Sequence, residues 1–106
     1  MQLPDSVKAF FDANLQDGPE VLKAAFLDHA VVRDERTTRE GLPAIRAWWT
    51  AARQKYRHTA MPIEMTGTGD AISVRAVVTG QFPGSPATLT YTFRLHDQKI
   101  AELEIG

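Results

Sequence analysis

The sequence predicts a single α+β domain in which N-terminal helices fold over a curved antiparallel sheet and enclose an apolar pocket. Three observations predict it. Apolar residues recur at helical spacing through the first half of the chain; from His58 onward the period falls from about 3.6 residues to about 2; and no alternation of strands with helices follows that change. A chain of 106 residues fits one domain, 1–106, and buries enough surface to stand without metal or disulfide staples.

Taken in order, Val7, Phe10, Phe11 and Leu15 predict helix one, with Pro4 and Asp5 as a start and Gly18 as a stop. Asn14 is the polar exception on that face. It reads either as a polar contact at the blind end of a cavity or as a tie for a neighbouring backbone group. Pro19 suits a first helical position, and Val21, Leu22, Ala25 and Phe26 form the stripe of a short second helix. Ala30-Val31-Val32 is β-branched and too short for a helix, so it predicts a strand. A polar loop from Glu35 to Glu40 follows. Around it, Arg33, Arg36 and Arg39 interleave with Asp34, Glu35 and Glu40, a pattern for a solvated, salt-linked loop rather than an anion clamp. Gly41 and Pro43 open the longest helix, in which Ile45, Trp48, Trp49, Ala52 and Tyr56 repeat at helical intervals.

Everything after His58 reads as sheet. Ile72, Val74, Ala76 and Val78 alternate with Ser73, Arg75, Val77 and Thr79, and Leu89, Tyr91, Phe93 and Leu95 alternate with Thr88, Thr90, Thr92 and Arg94. Pro83-Gly84-Ser85-Pro86 joins these two half-buried strands. Gly67-Thr68-Gly69-Asp70 is a hairpin turn, not a phosphate loop, because no helix follows it. His96-Asp97-Gln98 turns into a last strand with Ala101, Leu103 and Ile105 inward and Glu102 and Glu104 outward. Each long strand then has one apolar face, and only the helices are available to cover it.

Composition removes several function classes. The 12 basic and 13 acidic residues leave a formal net charge of -1, spread along the chain, with no field to attract a phosphate backbone, so no nucleic-acid partner is expected. No apolar run is long enough to span a membrane, Met1-Gln2-Leu3-Pro4-Asp5 lacks the features of a secretory signal, and a cytoplasmic location is the expectation. The absence of cysteine excludes disulfides and thiolate nucleophiles. His29, His58 and His96 lack ligand spacing, so no metal is predicted.

The segment Ala30-Val31-Val32-Arg33-Asp34, a polar loop, and Gly41-Leu42-Pro43-Ala44-Ile45-Arg46-Ala47-Trp48-Trp49 resembles the signature of nuclear transport factor 2-like, or SnoaL-like, proteins. The helix-helix-strand prelude and the closing meander agree with that pattern over nearly the whole chain. The resemblance implies a cone-shaped α+β roll around a pocket. It also implies a choice of activities, because the superfamily includes ketosteroid isomerases, polyketide cyclases, dehydratases, epoxide hydrolases and modules that only bind or dimerise.

Compared with the ketosteroid isomerases of this fold, Asp34 falls at the general base, directly after the short strand and in parity with Val32. Tyr91 falls where the isomerase has a protonated aspartic acid, so a phenol could donate a hydrogen bond in its place. Phe10 falls where the isomerase has its oxyanion-hole tyrosine, and a phenyl ring donates nothing to a developing enolate. His58 stands where many SnoaL-like relatives have a pocket-facing histidine, and Trp49 where they have a pocket wall. Bland alternatives stand beside each: Asp34 as a turn residue or a partner of Arg33, Arg36 or Arg39, His58 as a surface histidine, Tyr91 and the tryptophans as core.

The sequence thus implies a pocket for a small apolar, steroid-, polyketide- or terpenoid-like molecule. Phe10, Asn14, Trp49, Val74, Ala76, Val78, Phe93 and Leu103 would line it. The implied chemistry is of isomerase, cyclase or hydrolase type, with Asp34 as base, His58 or Tyr91 as partner, and no cofactor. A non-catalytic binding or dimerisation module is the alternative, and a protein-docking domain a third. Relatives commonly pair through the outer sheet face, here semi-polar and rich in Thr with Arg75, Arg94, Val77, Glu102 and Glu104, so a homodimer is expected.

Overall fold

The computed structural model describes residues 1–106. Helix α1 (Asp5–Asp12) leads into two 3-10 turns, Leu15–Asp17 and Pro19–Ala24, followed by strands β1 (Phe26–Asp34) and β2 (Thr37–Glu40), helix α2 (Leu42–Tyr56), and strands β3 (Thr59–Thr68), β4 (Ala71–Thr79), β5 (Ala87–His96) and β6 (Lys99–Ile105). The strands form one curved sheet in the order β2-β1-β6-β5-β4-β3. The antiparallel meander accounts for β3 to β6, and β1 joins it in parallel beside β6. The parallel pairing arises because α2 carries the chain across the concave face between β2 and the meander.

The first half departs locally from the sequence reading. Helix α1 ends at Asp12 because Ala13 is extended and Asn14 starts a new cap. The Asn14 Oδ1 accepts from the Gln16 and Asp17 amides, and Asp17 Oδ2 accepts from the Asn14 amide, a reciprocal capping box. Asn14 is therefore an exposed backbone tie outside the cavity, which corrects its place among the lining residues. Phe26 opens β1 instead of closing the second helix. The polar stretch after Asp34 is a hairpin, not a loop. Asp34 pairs with Thr37 across a two-residue turn, and Glu35 and Arg36 both take positive φ, at 52° and 63°, as a tight hairpin with right-handed strand twist demands.

Two bulges adjust the meander. In β3 the register shifts between Pro62 and Glu64, where proline has no N–H for the ladder. Between β5 and β6, Leu95 faces Ile100 and Arg94 faces Glu102, so Ala101 is skipped and Ile100 is the buried residue. This replaces Ala101 as the inward position.

Val74, Ala76, Phe93 and Leu103 are sealed among Phe26, Ile45 and Ile100. Burying side chains of the larger kind stabilises a fold by roughly 1.5–3 kcal/mol each. Helix α2 is placed by its buried stripe, Leu42, Ile45, Trp49 and Arg53, and no helix of the chain is long and apolar enough to cross a membrane. The chain leaves α2 through Arg57 in the left-handed region, with its amide bonded to the Arg53 carbonyl at 2.9 Å.

Beyond β4, Gly80 passes against that exit. A Cβ at Gly80 would lie 2.7 Å from the His58 Cβ and 2.8 Å from the Tyr56 carbonyl oxygen, to which Gln81 donates its amide. The absent side chain is what lets the β4–β5 connection dock on the end of α2. Gly80→Ala should cost about 1–3 kcal/mol of stability. Chemical denaturation measures it, and an unchanged midpoint would mean that the two segments do not touch as described.

Candidate functional site

At one end of the roll the sheet and helices part to leave a cavity of about 340 Å³. Successive inward residues along the strands show where it stops. On β4, Val78 lines it while Ala76 and Val74 do not; on β5, Leu89 and Tyr91 line it while Phe93 does not. The deeper half is filled because Phe10 and Phe11 close on Phe93, with ring centroids 6.0 Å and 5.9 Å away. Val74, Ala76, Phe93 and Leu103 are accordingly core, which corrects their expected place in the pocket wall. Phe10, Trp49 and Val78 do line the cavity.

Asp34, His58 and Tyr91 come together around this space from three different elements. Asp34 ends β1, and its Oδ2 accepts a hydrogen bond from the Trp48 indole Nε1 at 3.1 Å. None of the flanking arginines forms an ion pair with it; Arg33 instead reaches Glu102 at 3.5 Å. Burial raises the Asp34 pKa above the usual carboxylate range, the Trp48 bond opposes that rise, and the neighbouring Glu35 charge adds to it.

Tyr91 is 4% exposed and its hydroxyl has no hydrogen-bond partner within the chain, while its ring packs on Phe11 at 5.0 Å. Burial, and then the charge of Asp34, push its phenol up to about 12, so it stays a donor at neutral pH. His58 precedes β3, held against Tyr56 at 6.4 Å between ring centroids. Burial lowers its pKa and the positive Arg53 lowers it further, so the ring is neutral at pH 7. Its Nδ1 is sealed without a partner, which leaves Nε2 as the nitrogen a ligand can reach.

Several lining residues escaped the sequence reading. Trp48, next to the expected wall residue Trp49, carries the only side-chain hydrogen bond to Asp34. Tyr56 lines the cavity and donates to Glu35 Oε1 at 3.3 Å, tying the β1–β2 turn to the end of α2. Phe11 and Phe82 complete the aromatic wall, Phe82 lying 6.1 Å from Tyr56. Arg53 was unmarked, yet the i, i+4 spacing from Trp49 could have found it, since it places both on one helix face. No group of three or more His, Asp or Glu side chains is arranged to hold a metal ion.

Residues 7–103 match the SnoaL-like domain family. The structure of a candidate polyketide cyclase from Sinorhizobium meliloti superposes with a TM-score of 0.92 at 46% identity, covering 98% of this chain and 95% of that one. A candidate SnoaL-like polyketide cyclase from Jannaschia gives 0.81 at 22% identity over 96% and 82%. A protein of ketosteroid isomerase-like fold from Catenulispora acidiphila, solved with trimethylamine, gives 0.80 at 19% over 99% and 86%. No curated protein matches the chain.

The Asp34–Trp48 bond has a measurable sign. Trp48→Phe removes the donor that opposes burial, so the Asp34 titration followed by carboxyl-carbon NMR should move further upward. A titration that stays where it was would mean that the indole does not hold the carboxylate. Because the folded-state pKa lies above the unfolded one, the stabilising contribution is present below the unfolded value and is lost as pH rises through the folded value.

Proposed function

This chain belongs to the SnoaL-like domain family, and on that premise we propose that it binds a flat, mostly apolar carbonyl compound and abstracts a proton from it with Asp34 as general base. One observation carries the reading: a half-buried carboxylate of raised pKa, oriented by an indole N–H, lines an aromatic cavity large enough for a ligand. A base whose pKa rises toward the working pH takes a proton from carbon more readily while staying ionised.

The remaining groups suit the other half of the step. As Asp34 takes the proton α to a carbonyl, charge moves onto the carbonyl oxygen, and the Tyr91 hydroxyl is a donor with no competing partner. Neutral His58 offers Nε2 as a second site for proton exchange. The similarity to a candidate polyketide cyclase at 46% identity favours polyketide-like carbonyl compounds. Phe10, which supplies no donor, favours a second reading, a pocket that holds such a molecule unchanged.

Proton exchange separates the two readings. With 2-tetralone and a naphthyl 1,3-diketone in deuterated buffer, NMR should show α-hydrogen exchange accelerated by the protein and reduced at least about 100-fold in Asp34→Asn. The melting temperature of that variant at pH 7 should be equal or higher, since the amide escapes the penalty that burial puts on the charged carboxylate. Turnover that survives the substitution would remove Asp34 from the mechanism; binding without exchange would favour the passive pocket. Self-association through the outer sheet face belongs to the same proposal. Light scattering should give the mass of two chains, and a monomer at micromolar concentration would sink that part alone.

A further inference from the structure

Arg53 is the one buried charged residue of the chain, 8% exposed, and it has no counter-ion. Four other arginines form salt bridges, Arg33 and Arg94 with Glu102, Arg46 with Glu20 and Arg75 with Glu64, and all four have more exposed side chains. Arg53 makes none. It forms no side-chain hydrogen bond either, and its one partner is the Trp49 ring, 5.3 Å from its Cζ to the ring centroid. Its guanidinium nitrogens are not among the side-chain atoms sealed away without a partner, and Arg53 lines the cavity, so they remain open to an occupant. A guanidinium has five donors and keeps its charge at neutral pH, and holding it desolvated and unpaired is costly. The carboxylates at the cavity are otherwise engaged: Asp34 with Trp48, Glu35 with Tyr56.

We propose that Arg53 is the anion-holding group of this cavity, and that the ligand is an apolar ring system bearing one anionic oxygen group, a carboxylate or an equally acidic enol, which pairs with the guanidinium while its body lies against Trp49, Tyr91 and Phe11. The proposal rests on the pocket reading above and narrows its substrate class. It also supplies the charge stabilisation that Phe10 does not, since a guanidinium held in a water-poor wall attracts an oxyanion more strongly than it would in water. Burial disfavours the charged form of Arg53, so an anion that neutralises it binds with a driving force the free protein lacks.

Calorimetric titration with 2-naphthoate and its neutral analogue 2-acetylnaphthalene at pH 7 tests this. Wild-type protein should bind the carboxylate at least about tenfold more tightly, in keeping with a charge-assisted bond. Arg53→Gln should abolish that preference, read as the ratio of the two affinities in the same variant, and Arg53→Lys should retain part of it. Equal affinities in the wild type, or a preference that survives Arg53→Gln, would overturn the assignment and leave the pocket reading standing; binding of neither compound would overturn the pocket reading itself. Should Arg53→Gln fail to fold, the Arg53 Nε–H resonance of the wild type decides. A shift on adding 2-naphthoate and none with 2-acetylnaphthalene supports the proposal, and no shift with either refutes it.

Discussion

The way α2 lies across the concave face of the sheet governs the rest of the molecule. Its first half, through Leu42 and Ile45, is pressed into the core, and from Trp48 to Tyr56 its inward side chains wall the cavity. The sheet offers an apolar face along its whole length, but α1 has only two turns with which to cover what α2 leaves bare. Phe10 and Phe11 plug the middle, and the remainder stays hollow. A cavity here is a consequence of helix length and placement, not of missing hydrophobic residues.

That hollow disfavours charge. Asp34 and Tyr91 are raised, His58 and Arg53 lowered, and burial is the leading cause in every case. Tyr91 feels the charges of both Asp34 and Arg53. A polar molecule entering such a wall meets both an acceptor and donors, which orients it before any chemistry occurs.

Much of this was legible in the residues. The alternation along β4 and β5 follows from the two-residue repeat, and that signal survives because each strand is buried on one face only. Asp34 was placed by parity with Val32. What was hidden depends on non-local geometry. Asn14 sits at a spacing that continues helix one, and only the extended Ala13 takes it out of register. Glu35 and Arg36 occupy left-handed positions usually marked by glycine or asparagine, so the hairpin had no turn signal. Phe93, Val74, Ala76 and Leu103 share parity with the true lining residues, and periodicity reports which face a side chain takes, not how deep along the strand the filling begins.

The parity of β1 has an implication for how this site could change over time. Ala30, Val32 and Asp34 face inward because each is two residues from the last, while Arg33 pairs with Glu102 on the other side. Removing one residue from β1 ahead of Asp34 would turn Asp34 outward and set Glu35 at its inward position, so which group faces the ligand depends on the length of this strand as well as on its residues.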